Sequence, residues 1–278
     1  MHIAFDSSMR LKRRVYYFEY KGIQFKLMQN NPIKYTDMLL SIVPTDNKSE
    51  RQRVYATAAE FLSALSWGNK THISLENVGG VGVTFGYSLK KCKCRMFVFP
   101  KTPFKGKHIE FGISQIPAIE NDNQKAALIL FREAMSSNKL WLSFLLYWQI
   151  LEVCGGTPTV WINREYYEKN KVFIPHDKIQ QLSLGGKKLG EYLYDDCRNA
   201  LAHIRRSQGR RAIRLDMLDD NLRIRLSTDV IKCFAEHFII SELKLNKNLY
   251  LVKKDRLSFP KYVNSSELQQ QMYTLAYP

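Results

Sequence analysis

Short apolar runs alternate with polar punctuation through residues 15–117. Runs rich in β-branched and aromatic residues occur at 15–20, 23–28, 38–43, 81–87 and 95–99, each bounded by Gly, Pro or Asn. This pattern is typical of strands. Residues 50–67 instead carry apolar side chains at helical spacing and end beside Gly68, which predicts one embedded helix. The sequence therefore predicts a β-rich α+β domain over residues 1–118.

The periodicity changes after the polar, turn-rich segment at residues 117–123, where we place the domain boundary. Helical spacing then predicts helices at 123–135, 139–153, 184–206 and 228–245, with Ser227 as N-cap of the last. Asp219-Asp220-Asn221 separates two apolar runs, at 211–217 and 222–226, and predicts a β-hairpin. We therefore expect an all-α helical domain at 123–250 with a small hairpin insertion, followed by a tail at 251–278 that either packs back or extends freely.

The amino-acid composition predicts a polyanionic partner. The 278 residues carry a formal net charge of +16 and a pI near 9.6. A positive field of this size attracts polyanions, so RNA or DNA is the expected partner and an anionic membrane surface the competing interpretation. The longest apolar segment, 141–154, contains Gln149 and Glu152 and is too short for a transmembrane helix, so we expect no membrane span. Of the two candidate partners we expect the nucleic acid and not the membrane.

Cysteine usage predicts a reducing, cytoplasmic setting. Five cysteines is an odd count, and no secretion signal is visible at the N-terminus. Cys92 and Cys94 form a close pair but lack a second pair or suitably spaced histidines. We expect neither a metal nor another cofactor.

Candidate chemistry is concentrated on the predicted helix at 184–206. On a helical wheel, one stripe is apolar and should face the core: Leu193, Cys197, Ala200, Leu201 and Ile204. The opposite arc is largely polar: Asp195, Arg198, Asn199, Ala202, His203 and Arg206. Asn199 and His203 lie one above the other, whereas Arg198 and His203 are about 140° apart on a straight helix. Ala202 leaves room between them for a phosphate or a second helix.

Arg198 and His203 are the residue types that RNA cleavage requires. The reaction needs a base for the 2′-hydroxyl, an acid for the leaving oxygen and positive charge for the phosphorane oxygens. Imidazole titrates near neutrality, and guanidinium binds phosphate through two hydrogen bonds. The pair is a weak signal by itself, and the adjacent Asn199 makes it more specific.

The segment Arg198-Asn199-Ala200-Leu201-Ala202-His203 resembles the ribonuclease motif of the HEPN superfamily, in which Arg, a polar residue and a later His follow in order. Residues 128–134 and 147–152 resemble the first two helices of its MauJ-like (methylamine utilisation protein J-like) branch. The resemblance covers about residues 123–245. The β-rich half shows no such resemblance.

The resemblance implies a helical bundle that forms a homodimer, with Arg198 of one copy near His203 of the other. It also implies metal-independent cleavage that leaves a 2′,3′-cyclic phosphate. Members commonly act as toxins or antiviral defence effectors, which adds an antitoxin or other regulatory protein as a candidate partner. In this hypothesis His203 is general base or acid, Arg198 holds the scissile phosphate and Asn199 orients one of them.

An arginine run follows the motif and contains no acidic residue. Its members are Arg205, Arg206, Arg210, Arg211 and Arg214. We expect it to bind single-stranded or loop RNA, with tRNA one candidate, because guanidinium pairs with phosphates and stacks on unpaired bases. A docking face for an acidic protein remains the alternative. Glu152 and Asp195 are candidate cleft residues. The alternative function is a non-catalytic nucleotide- or protein-binding module that acts as a sensor or accessory subunit.

Overall fold

The protein is described by a computed structural model that covers residues 1–8, 10–11, 15–28, 37–41, 48–75, 81–82, 110–111, 115–169, 176–202, 213 and 217–254. The chain divides into two compact units. The first comprises Met1–Ile116 and Asn248–Pro278, and the second comprises Pro117–Lys247. The predicted boundary at residues 117–123 lies directly after the first crossing between the units.

The first unit is built on an antiparallel sheet. Its elements in chain order are β1 His2–Ser7, β2 Arg10–Leu11, β3 Val15–Tyr20, β4 Ile23–Met28, β5 Asp37–Leu40, α1 Lys48–Asn69, β6 Ile73–Leu75, β7 Val81–Gly82, β8 Glu110–Phe111 and β9 Gln115–Pro117. Two later strands, β10 Asn248–Tyr250 and β11 Val252–Lys254, also belong to this unit. Among the described residues, the main sheet runs in the order β11-β3-β4-β5-β1-β6, and β7 also pairs with β1. β2 pairs with β8, and β9 with β10. The predicted α+β class is confirmed.

The β3–β4 hairpin shows how the sequence sets the sheet register. Val15 pairs with Met28 and Tyr20 with Ile23, so Lys21 and Gly22 form a two-residue turn. Both turn residues have positive φ, 49° and 73°. A tight hairpin of this kind needs positive φ at both central positions, and Gly adopts it without strain. The predicted strands at 15–20 and 23–28 are thereby confirmed.

Helix α1 packs on one face of this sheet. Alternate strand residues such as Phe18 and Phe25 are fully buried, and the Phe18 and Phe61 rings lie 4.7 Å apart. Tyr20 donates a 2.7 Å hydrogen bond to the buried carboxylate of Glu60 on α1. The helix predicted at 50–67 is confirmed and extends slightly beyond both predicted ends, because apolar spacing locates a helix better than its termini.

The second unit is helical. Its elements are α2 Asp122–Ser136, α3 Leu140–Glu152, α4 Pro158–Asn163, a π-helical turn at Arg164–Glu168, α5 His176–Gln180, α6 Leu189–Tyr192, a π-helical turn at Leu193–Arg198, α7 Asn199–Ala202 and α8 Leu218–Ser241. The chain then returns to the first unit with β10 Asn248–Tyr250 and β11 Val252–Lys254. Within the residue range predicted as a tail, β11 thus pairs with β3.

Helices α2, α3 and α8 form the core of this unit. Phe131 on α2 and Tyr147 on α3 meet edge to face at 5.7 Å, and Thr228 on α8 donates to the Leu140 carbonyl at the start of α3. Asn121 caps α2 by accepting from the backbone N–H of Gln124 at 2.9 Å. The helices predicted at 123–135 and 139–153 are confirmed.

Two predictions about the end of this unit are wrong. Residues 218–226 belong to α8, so the predicted hairpin around Asp219-Asp220-Asn221 does not form, and Ser227 is buried within a helix instead of capping one. Asp219 and Asp220 occupy the first turn of α8, where acidic side chains favour the positive end of the helix dipole. Their role is to start a helix, and Asp220 also pairs with Arg223 at 2.9 Å.

The helix predicted from residue 184 begins five residues later, at Leu189. Gly185 and Gly186 adopt positive φ of 59° and 79°, and such a turn interrupts a right-handed helix. The predicted strand at 81–87 is described only at Val81 and Gly82, and that at 95–99 lies outside the described residues. No described helix is both long and apolar enough to cross a membrane.

Candidate functional site

The helical segment at residues 189–202, which we call the motif helix, carries the candidate site. It consists of α6, the π-helical turn Leu193–Arg198, and α7. The wider turn is evident in the bond from the Asn199 backbone N–H to the Tyr194 carbonyl, five residues back. Such π-turns are rare and are frequently found at functional sites. The turn ends at Arg198, the first residue of the candidate motif.

One face of the motif helix packs in the interior. Of the predicted apolar stripe, Leu193, Cys197 and Ala200 are buried and Leu201 is half-buried, while Ile204 lies outside the described residues. The Cys197 thiol lies 3.3 Å from the Ser227 hydroxyl of α8. Burial raises the pKa of Cys197 to about 11. This thiol therefore stays protonated and serves packing.

The opposite face presents Arg198 and Asn199. Nη1 of Arg198 donates to Oδ1 of Asn199 at 3.2 Å, and Nη2 lies 3.8 Å from Oε1 of Glu152 at the end of α3. The Arg198 side chain is 30% exposed and that of Glu152 38% exposed. A guanidinium that is half-buried and held on two sides keeps its direction while still reaching solvent. The structure thus brings together three of the predicted site residues.

Glu152 is itself fixed from the core. Nε1 of the buried Trp148, one turn earlier on α3, donates to Oε1 of Glu152 at 2.7 Å. The same carboxylate oxygen therefore faces both the indole and the guanidinium. A charge-assisted hydrogen bond of this kind holds the carboxylate in one direction.

Tyr194 completes the group on the exposed side. Its ring lies 5.8 Å from that of Trp148, and the guanidinium carbon of Arg198 lies 5.9 Å from the Tyr194 centroid, within the range of a cation–π contact. We call Trp148, Glu152, Tyr194, Arg198 and Asn199 the Arg198 cluster. Trp148 and Tyr194 were not predicted as site residues, although each stands four positions before a predicted site residue, a spacing that places side chains together on a helix.

Asp195, the other predicted cleft residue, interacts with a lysine. Nζ of Lys187 lies 3.4 Å from Oδ2 of Asp195 and 2.6 Å from Oδ2 of Asp196. The two carboxylates are therefore paired with a cation from the segment before the motif helix. This pair of contacts ties that segment to the π-helical turn.

The rest of the predicted site lies outside the described residues. His203 follows directly on the last described residue of the motif helix, and Arg205, Arg206, Arg210, Arg211 and Arg214 also lie beyond it. Ala202, predicted as the small residue between Arg198 and His203, is exposed. The placement of the imidazole and of the arginine run stays a prediction.

Gly190 allows the motif helix to approach α4. A Cβ on Gly190 would stand 2.4 Å from the Thr159 carbonyl oxygen, and the Gly190 N–H donates to Oδ1 of Asn163 at 2.9 Å. A methyl group at this position collides with backbone, which a rotamer change cannot relieve. The absence of a side chain at Gly190 therefore allows the motif helix to pack this closely against α4.

We expect Gly190→Ala to lower the free energy of unfolding by about 1–3 kcal/mol, as overpacking typically does. Chemical denaturation followed by far-UV circular dichroism measures the change. Gly156→Ala is the matched control, since a Cβ there meets nothing within 4 Å. Equal stabilities of the two variants would show that the approach of α4 is not needed.

A second cluster of charges surrounds Glu165, which is buried in the other π-helical turn. Its carboxylate accepts from Lys169 at 2.8 Å and Arg164 at 3.2 Å, and Oε2 lies 3.1 Å from Nε2 of His237 on α8. Burial raises the pKa of Glu165, but the hydrogen bonds from Lys169, His237 and Arg164 lower it by more, so the pKa falls below its ordinary value. The cluster stabilises the contact between this turn and α8.

The lowered pKa predicts loss of stability in acid. A carboxyl whose folded-state pKa is depressed contributes stability above its unfolded pKa, and that stability is lost as the pH falls through the folded value. We expect Glu165→Gln to cost about 1.5–3 kcal/mol at neutral pH, the range for a hydrogen bond to a charged group. The difference from wild type should shrink below about pH 4.5.

Urea unfolding across this pH range measures that difference. Glu168→Gln, an exposed carboxylate in the same turn, should leave the pH profile close to that of wild type. A Glu165→Gln deficit that is unchanged in acid would mean that the charge of Glu165 does not stabilise the fold.

The helical unit matches one known family. Residues 127–240 match the family model for methylamine utilization protein MauJ, which supports a MauJ-like family and spans most of α2, α3, the motif helix and nearly all of α8. No curated protein and no solved structure matches the chain. The match includes each member of the Arg198 cluster and leaves the β-rich unit outside it.

Proposed function

We propose that this MauJ-like protein is a metal-independent endoribonuclease of the HEPN superfamily that cleaves single-stranded or loop RNA. The observation that carries the proposal is the hydrogen-bonded pair of Arg198 and Asn199 on a partly exposed face of the motif helix. Glu152 on α3 orients the guanidinium of this pair, and His203 follows the last described residue of the motif helix. The buried stripe of the motif helix supports it, because packing fixes which face reaches solvent.

The proposed reaction is an internal transesterification. The 2′-oxygen attacks the adjacent phosphorus while a base takes the 2′ proton and an acid supplies a proton to the leaving oxygen. His203 serves as one of these two groups, and bulk solvent serves as the other. The P–O bond to the 5′-oxygen of the next nucleotide breaks, and that oxygen leaves as a hydroxyl. The products are a 2′,3′-cyclic phosphate and a free 5′-hydroxyl, so no redox partner or added water is needed in this step.

Arg198 has the role of stabilising charge on the phosphate. Its planar guanidinium can donate two parallel hydrogen bonds to phosphate oxygens, and charge that develops on those oxygens strengthens the interaction. At 3.8 Å the contact with Glu152 is an ion pair longer than a hydrogen bond. Glu152 therefore orients the guanidinium, and the phosphate provides the closer contact when RNA binds.

Two copies of the chain complete the site in this proposal. Arg198 and His203 of one straight helix point about 140° apart, which one phosphate cannot bridge easily. Pairing of two motif helices about a twofold axis places Arg198 of one copy near His203 of the other. The exposed Ala202 at this face leaves space for such an approach.

The arginine run supplies the RNA affinity in this proposal. Arg205, Arg206, Arg210, Arg211 and Arg214 follow the motif without an acidic residue among them. Phosphate contacts by these side chains would release counterions, so binding should weaken steeply with salt. We also propose a cytoplasmic setting and a role as a toxin or antiviral defence effector, controlled by an antitoxin or another regulatory protein.

Purified full-length protein incubated with total RNA in excess EDTA tests the assignment. We expect cleavage to persist in the chelator, and the products to end in 2′,3′-cyclic phosphate, as end labelling after phosphatase treatment can show. Activity that disappears with EDTA and returns with a divalent metal would contradict the mechanism. RNA binding without any cleavage would instead favour the non-catalytic binding module.

A further inference from the structure

The Tyr194 ring is an aromatic surface beside the proposed phosphate ligand. It is 39% exposed, although it belongs to the π-helical turn of the motif helix. The buried Trp148 ring supports it at 5.8 Å with an interplanar angle of 35°. A large ring that is held from below and still exposed can stack with a ligand at little entropic cost.

Backbone geometry couples Tyr194 to the motif. The Tyr194 carbonyl accepts the π-type hydrogen bond from the N–H of Asn199, so the two residues are fixed relative to each other. The guanidinium of Arg198 lies at 5.9 Å from the ring centroid. The Tyr194 ring and the guanidinium that we propose to bind phosphate are therefore neighbours on one π-helical turn.

The Arg198 cluster also indicates which kind of ligand could stack on the Tyr194 ring. The Arg198 guanidinium, within cation–π range at 5.9 Å from the ring centroid, adds positive charge beside the ring, which suits a group attached to a phosphate. Nucleobases present a π-face whatever their sequence, and they stack on Tyr in single-stranded complexes. Bases inside a duplex are already stacked on their neighbours, so an exposed protein ring selects an unpaired base.

We propose that Tyr194 is the stacking platform for an unpaired nucleobase adjacent to the phosphate that Arg198 holds. This inference rests on the proposed function, and it deepens it by assigning a nucleobase subsite to Tyr194. Stacking on one face tolerates different bases, so selectivity for strandedness exceeds selectivity for sequence at this subsite.

The test separates binding from cleavage by using a 2′-O-methylated single-stranded oligonucleotide, which lacks the nucleophile. Its affinity is measured by fluorescence anisotropy for full-length wild type, Tyr194→Ala and Tyr194→Phe. Loss of one base stack should weaken binding by about tenfold in Tyr194→Ala. Tyr194→Phe keeps the π-face and should bind within about twofold of wild type.

Two controls assign the effect to stacking. Tyr55→Ala removes an exposed tyrosine on α1 and should leave affinity unchanged. A 2′-O-methylated duplex should bind all variants with similar affinity, because its bases are not available. Far-UV circular dichroism and thermal unfolding check that each variant folds. If Tyr194→Ala does not fold, Tyr194→Leu serves as the non-aromatic variant.

The outcomes distinguish this inference from the proposed function. Wild-type affinity in the folded Tyr194→Ala or Tyr194→Leu protein overturns the base subsite, even if RNA is cleaved normally. A selective loss of single-strand affinity supports the subsite, even if no variant cleaves RNA and the nuclease assignment fails. An equal loss for the single strand and the duplex also overturns it, because Tyr194 would then support the site without stacking on a base.

Discussion

Replacing Arg198 by alanine is expected to reduce RNA cleavage in EDTA by roughly a hundred- to a thousandfold, the typical cost of removing one group that stabilises transition-state charge. Arg198 is held by Asn199 at 3.2 Å and faces Glu152 at 3.8 Å. Without the guanidinium, the Glu152 carboxylate keeps, among the described residues, only the hydrogen bond from Trp148 and adds unpaired negative charge close to the proposed phosphate position. Initial rates on a defined RNA measure the loss.

Matched variants make this result specific. Arg225→Ala removes an exposed arginine from α8 and should retain nearly full activity, and Arg198→Lys should recover only part of it, because an ammonium cannot donate the planar pair of hydrogen bonds. His203→Ala is expected to lose activity by about a hundred- to ten-thousandfold as a missing acid–base group. Normal cleavage by a folded Arg198→Ala protein would remove the guanidinium from the mechanism.

Trp148→Ala is expected to lower the free energy of unfolding of the helical unit by about 3–5 kcal/mol, the usual cost of truncating a buried aromatic side chain. The side chain is 1% exposed and stacks on Phe144 at 6.4 Å. Its loss leaves a cavity and also removes the hydrogen bond to Glu152. Since whole domains are stable by about 5–15 kcal/mol, the variant should be close to unfolding at moderate temperature.

Two further substitutions separate packing from positioning. Trp148→Phe fills most of the space but cannot donate to Glu152, so it should lose less stability and still reduce the rate of cleavage. Trp141→Ala, at a half-buried position of the same helix, should cost less than Trp148→Ala. Urea unfolding monitored by circular dichroism gives the ranking, and equal losses at positions 141 and 148 would be inconsistent with Trp148 as the core anchor.

Local pattern was sufficient where one element decides the outcome. The β-branched and aromatic runs at residues 15–20 and 23–28, bounded by Gly22, predicted the β3 and β4 strands. The buried stripe Leu193, Cys197 and Ala200 was predicted because helical spacing survives the π-turn well enough to keep one face apolar. Within the described residues, the polar side of the motif helix was likewise visible in advance.

Local pattern failed where two structures share the same signals. Acidic residues and an asparagine suit both a turn and the first turn of a helix, and the run from Leu218 continues without Gly or Pro. The predicted hairpin is one of these structures, but α8 forms the other and buries residues on both sides of Ser227 against other helices. Tertiary burial decided between them.

The sequence alone determined the periodicities, the basic charge and the residue types of the Arg198–Asn199–His203 segment, because these depend on composition and spacing within one stretch of chain. Only the tertiary structure brought Glu152 and Trp148 from α3 to Arg198, and Thr159 against Gly190. It also placed the Tyr194 ring against that of Trp148, a contact between two helices. Contacts between elements depend on the packing of whole helices, which no single segment encodes.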